Sequence, residues 1–121
     1  MIGGSASLIS FYIIRWRQRS KLDESLDVFA CHGVGGAWGA LATGLFATKA
    51  VNAAGADGLF YGNPGQLLIQ LAAIGAVIGF AFVLTYAIAK ILNRTMGLRV
   101  KASEEEVGLD LSEHGERAFA A

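Results

Sequence analysis

Charged residues are absent from three windows of the chain: residues 1–14, 28–47 and 58–89. The second window, VFACHGVGGAWGALATGLFA, holds twenty uncharged positions. As a helix it is about 30 Å long, the thickness of a bilayer's hydrocarbon core. Within the third window, residues 65–89 form twenty-five uncharged positions, enough to span with tilt. Residues 2–14 are apolar but too few to cross alone. The pattern predicts an all-α chain of transmembrane helices at about 2–16, 28–47 and 65–94. A polar tail occupies 102–121.

Punctuation between the windows agrees. Asp27 stands just before the second window, where an N-cap is expected. The linker 48–64 is rich in Gly, Asn and Ala, with turn signals at Asp57-Gly58 and Asn63-Pro64-Gly65. Arg15, Arg17, Arg19 and Lys21 precede the second window, and Lys90, Arg94, Arg99 and Lys101 follow the third. The linker between them has only Lys49. The bias of cations toward the cytoplasm predicts a multi-pass protein of the cytoplasmic membrane with its C-terminus inside.

Composition narrows the class. Hydrophobic residues make up 54% of the 121 positions and charged ones 17%, with a mean hydropathy of +0.48. A net charge of zero gives no reason to expect a nucleic-acid partner. The single cysteine, Cys31, cannot build a disulfide framework or a zinc cluster. The basic run follows the first apolar stretch, the reverse of a secretory signal.

Small residues repeat at four-residue spacing: Gly35, Gly39 and Thr43; Gly36, Ala40 and Gly44; Ala72 and Ala76; Gly75 and Gly79. In lipid, such rows let helix backbones approach closely. Two contact surfaces on one short chain predict more helices around it than it contains.

His32 is the residue with chemistry. An imidazole one turn inside a membrane-length helix must find a partner or line a wet cavity. Val28 lies four residues earlier, on the same helical face. A neutral imidazole both accepts and donates a hydrogen bond, so it can handle a small amine and its proton. An apolar lumen around it rejects ions that must shed their water. The alternative is a histidine that only bonds two helices together. His32 has no acid or second histidine at i+3 or i+4, and Cys31 no neighbouring base. Neither a metal, a cofactor nor an enzymatic activity is therefore expected.

In the tail, Ser103 with Glu106 and Asp110 with Glu113 have capping-box spacing around Gly108. Val107, Leu109, Leu111 and Phe119 offer apolar anchors. An ordered docking element and a disordered acidic tail are both compatible with this.

The string DESLDVFACHGVGGAWGALATGLFA closely resembles the segment of the ammonium transporter (Amt/Mep/Rh) family that carries the second of two pore histidines. GLRVKASEEEVGLDLSEHGERAFA resembles the cytoplasmic C-terminus of its prokaryotic members. The resemblance covers essentially the whole chain and implies the end of the ninth span, the tenth and eleventh spans, and the tail. It implies a fragment of the family's eleven-span bundle, with ammonium or ammonia as substrate and membrane lipid around it. A homotrimer is implied for the complete protein.

By the same resemblance, His32 and Val28 would line the pore, and Asp27 would be a structural cap. Gly97, Leu98, Arg99, Val100, Gly108, Leu109, Asp110, His114, Gly115 and Glu116 would form the regulatory tail, contacted by PII-type signal proteins. The family's other pore histidine, outer recruitment site and phenylalanine gate have no counterpart here. The chain is thus expected to be the C-terminal portion of a transporter that does not conduct alone. The alternative is a small non-transporting membrane module displaying a docking tail.

Overall fold

The computed structural model describes residues 2–20 and 22–119. Lys21, the last cation of the basic run, and tail residues 120 and 121 lie outside the described residues. Every regular element described is helical. α1 is Ile2–Gln18, a π-helical segment covers Phe29–Val34, and α2 is Gly35–Phe46. A 3-10 turn, Leu59–Tyr61, precedes α3, Pro64–Thr95; α4 is Ala102–Val107 and α5 is Leu109–His114. The residues group into two compact units, Met1–Gly79 and Phe80–Ala121.

The first unit is held by polar contacts between α1 and the chain from Glu24 to Trp38. Arg17 is nearly buried, its side chain 11% exposed. Its Nη2 donates to Asp27 Oδ1 at 2.6 Å, and Nη1 donates to the Glu24 carbonyl. Arg17 Nε lies 3.7 Å from Glu24 Oε2, beyond hydrogen-bond range. Farther along α1, the Ser10 hydroxyl donates to the Ala30 carbonyl at 3.0 Å. Trp38 Nε1 donates to Ser5 Oγ at 3.0 Å. Partners on α1 fall in number as those on the other strand rise, as antiparallel neighbours require.

The expected helix over 28–47 ends at Phe46 and does not begin as an α-helix. Residues Phe29–Val34 take the wider π winding, and the Ala30 carbonyl accepts from both the Gly35 amide and the Ser10 hydroxyl. Asp27 is not its side-chain cap. The amide of Phe29 donates to Glu24 Oε1 at 2.6 Å, while the Asp27 carboxylate is committed to Arg17. Asp27 itself turns the chain at φ +52°, a left-handed conformation that Asp tolerates better than most residues.

The linker folds back on α2. Gly58 N–H donates to the Ala47 carbonyl at 2.8 Å, and Lys49 N–H to Asp57 Oδ1 at 2.8 Å. The rings of Phe46 and Phe60 pack at a 31° tilt with centroids 5.2 Å apart. A Cβ on Gly58 would sit 2.8 Å from the Gly44 and Leu45 carbonyl oxygens, so only glycine fits. Gly44 in turn receives α3: its own Cβ would lie 3.0 Å from Leu67 Cα. Pro64 takes the first helical position of α3, where a missing N–H costs nothing. At 32 residues, α3 is about 48 Å long. It alone among the described helices is long and apolar enough by itself to cross a membrane.

In the second unit, Gly97 at φ +76° follows the end of α3, and Gly108 at φ +99° separates α4 from α5. The expected capping boxes form in another register. α4 starts at Ala102, so Glu104, not Glu106, reaches back, accepting from Lys101 N–H at 2.8 Å. Asp110 lies inside α5 and does not cap it: Oδ1 accepts from Leu111 N–H and Oδ2 from Ala118 N–H. The Ser112 hydroxyl donates toward the Glu104 and Gly108 carbonyls, tying α5 to α4. The amide of Ala118, followed by that of Leu111, holds the Asp110 carboxyl below its ordinary value of 3.8.

Three outcomes follow. In this chain in detergent, Gly58→Ala should lower unfolding stability by about 1–3 kcal/mol. Gly36→Ala, with nothing within 4 Å of its new Cβ, should leave it nearly unchanged; equal effects on thermal loss of helicity would contradict the packing described. Arg17→Met should cost about 2–4 kcal/mol by stranding carboxylates, and adding Asp27→Asn should restore part of that loss in the same melt. For Asp110, a depressed folded pKa means that its stabilisation is complete above the unfolded value of about 4 and fades as pH falls through the lowered one. Amide exchange at Ala118 should show protection that is flat down to about pH 4 and then declines, and Asp110→Asn should remove that decline.

Candidate functional site

His32 occupies the fourth position of the π segment, between Cys31 and Gly33. Its side chain is exposed, and among the described residues it has no hydrogen-bond partner. Val28 is also exposed, at 49%. The adjacent Ala30 is fully buried against α1, and Cys31 opens onto a groove shared with Ser7, Ser10, Phe11 and Gly35. The segment therefore has two sides. One is fixed to α1 by Ala30 and its carbonyl; the other presents the imidazole and the valine outward.

Val28 is the residue before the π segment and His32 lies within it, with Asp27 directly before Val28. Asp27 contributes through Arg17, which ties the start of the segment to α1 at 2.6 Å. Cys31 is separated from His32 by facing the groove, so the two do not form a pair. No group of three or more metal-ligating side chains occurs among the described residues.

Small residues continue the exposed side. Gly36 and Gly39 in α2 have nothing within 4 Å of a built Cβ, and neither do Gly75 and Gly79 in α3. Of the predicted contact rows, Gly44 meets Leu67 of α3 and Gly35 faces Ser10 of α1. Gly36, Gly39, Gly75 and Gly79 offer open backbone.

The tail residues singled out by sequence lie in the second unit. Gly97, Gly108 and Gly115 all adopt positive φ, and Gly115 terminates α5. Leu98 N–H donates to Asn93 Oδ1 at 3.3 Å. Val100 lies in the connection to α4, and Arg99 Nη2 pairs with Glu105 Oε1 at 3.5 Å. Leu109 and Asp110 open α5, His114 closes it exposed, and Glu116 N–H donates to the Asp110 carbonyl at 3.1 Å. Leu111, Glu116 and Ala118 donate to Asp110, while residues 97–100 lie in the connection from α3 to α4.

Three contributors escaped the sequence reading: Ser10, Arg17 and Glu24. In the sequence Arg17 is one of several cations of the basic run. A serine seven residues before an arginine on one apolar helix face was the available signal, since residues seven apart align.

Comparison with known proteins agrees with this architecture. The profile of the Ammonium Transporter Family matches residues 1–119. An ammonium transporter of Bacillus subtilis is 44% identical over 98% of this chain, which corresponds to 29% of that protein. The ammonium transporter Amt1 of Archaeoglobus fulgidus is also 44% identical over 98% of the chain, or 30% of its own length. An Aquifex aeolicus ammonium transporter is 43% identical over the same share, 27% of its length. The chain thus spans somewhat under a third of these relatives. On the match over nearly all its residues, it belongs to the Ammonium Transporter Family of membrane proteins.

Proposed function

We propose that this chain forms part of the conduit of an ammonium transporter, with His32 and Val28 lining an apolar path for ammonium or ammonia. The observation that carries the reading is the exposed imidazole on the side of the π segment turned away from α1. A lumen residue must be held by its own helix on one side and be open on the other, and His32 meets both conditions. The imidazole accepts or donates one hydrogen bond as needed while apolar neighbours exclude hydrated ions.

These residues supply one wall of such a path. The other walls come from further helices of the same bundle, packed on the open rows at Gly36, Gly39, Gly75 and Gly79, so the 121 residues do not conduct by themselves. The complete assembly is a homotrimer in the cytoplasmic membrane, with lipid around it. The tail, residues 102–121, lies on the cytoplasmic side, and the surface around Asp110 is the one a PII-type signal protein meets.

The test grafts this segment into a complete ammonium transporter and measures uptake of radiolabelled methylammonium. His32→Ala should change the uptake rate or the discrimination against potassium by about tenfold, as losing a positioned polar group does. Unchanged rate and selectivity would remove His32 from the lumen.

A further inference from the structure

We propose that Ser10 is a positioning residue for His32, acting by holding the π winding of Phe29–Val34 open from the neighbouring helix. The inference rests on His32 lining the path. It adds a residue of another helix that sets the direction of the imidazole.

The geometry is specific. In α winding the Ala30 carbonyl would accept from Val34; here it accepts from the amide of Gly35, five residues on, and from the Ser10 hydroxyl at 3.0 Å. A π turn carries about one extra residue, worth roughly 100° of helix rotation. That rotation must be absorbed somewhere if the segment reverts to α winding. Both sides of the segment are anchored to α1: Arg17 holds Asp27 before it, and Ser5 holds Trp38 after it. With the two ends fixed, reversion is confined to the residues between them, and His32 lies there. Ser10 supplies the one side-chain bond reaching the segment's backbone from α1 among the described residues.

Nothing else in the segment favours the wide turn as directly. Gly33 and Gly35 lower the cost of any irregular backbone but do not choose one. Gly35 also leaves Ser10 room, since a Cβ there would stand 3.7 Å from its hydroxyl. Within a bilayer no water replaces the serine as second partner of the Ala30 carbonyl. Losing the hydroxyl therefore shifts the balance back toward α winding and turns His32 off its axis.

The experiment compares Ser10→Ala and Ser10→Thr in the same complete transporter carrying this segment, reconstituted in proteoliposomes. Two quantities are read: methylammonium uptake, and the rate at which diethylpyrocarbonate modifies His32, followed by mass spectrometry. Ser10→Ala should lower uptake about fivefold, the order set by one hydrogen bond, and change the modification rate by a similar factor. Ser10→Thr, which keeps the hydroxyl, should restore both. If Ser10→Ala fails to insert, Ser10→Cys, a weaker donor of similar size, takes its place and should fall between wild type and the expected loss. Wild-type values for both readouts in the hydroxyl-free variant, or equal losses in Ser10→Ala and Ser10→Thr, would overturn the positioning role. His32→Ala, run in parallel, separates the two ideas. If it alone is silent, the lumen reading falls, while the modification rate still decides whether Ser10 orients the ring.

Discussion

In hydrocarbon a backbone carbonyl released from its helical ladder has no water to turn to. The Ala30 carbonyl is the place in this chain where that rule bears hardest. Its residue is fully buried, and it accepts from the amide of Gly35, five residues on, and takes a second bond from Ser10. From that junction follow the π winding, the divergence of Cys31 and His32 to different surroundings, and the exposure of the imidazole. The contact of α1 with its neighbour is thus a polar one with apolar filling. This suits an environment where lipid tails compete equally for every methyl group.

Arg17 extends the same logic to the end of α1. A guanidinium with its side chain 11% exposed is costly where its donors go unmatched. Asp27 and the Glu24 carbonyl match Nη2 and Nη1, Nε has no hydrogen-bond partner, and the carboxylate of Glu24 accepts from the Phe29 amide. The acidic stretch is therefore divided between bracing one helix and starting the next. The left-handed Asp27 makes this possible by turning its side chain back toward α1 while its carbonyl still receives the Cys31 amide.

Much of the architecture was legible in the order of residues. Windows free of charge marked three of the helices, because removing backbone and side chains from water demands apolar sequence over a fixed length. Pro64 and Gly58 announced the turns at which the linker closes, and Gly108 the break in the tail. The π segment was not legible: its cause is a hydroxyl twenty residues away, and hydrophobic periodicity carries no information about such a partner. Asp27 was misjudged as a cap for the same reason, since its true partner belongs to another helix. The capping boxes of the tail slipped register because Glu104, Glu105 and Glu106 are interchangeable by spacing. Only the start of α4 at Ala102 chooses Glu104.

The site itself divides along the same line. That a histidine inside an uncharged run would matter could be argued from desolvation alone. Its direction could not, because direction depends on how many residues the turn before it contains. An α-helix through 28–47 and the observed π-then-α helix share one sequence and one hydropathy profile, yet differ in azimuth at residue 32 by about a quarter turn. Under the proposed function, selectivity for a small neutral amine would depend on that azimuth, since one hydrogen-bonding ring nitrogen must face the path and the rest of the wall must stay apolar. The chemistry of such a path is then fixed less by the histidine than by the neighbours that aim it.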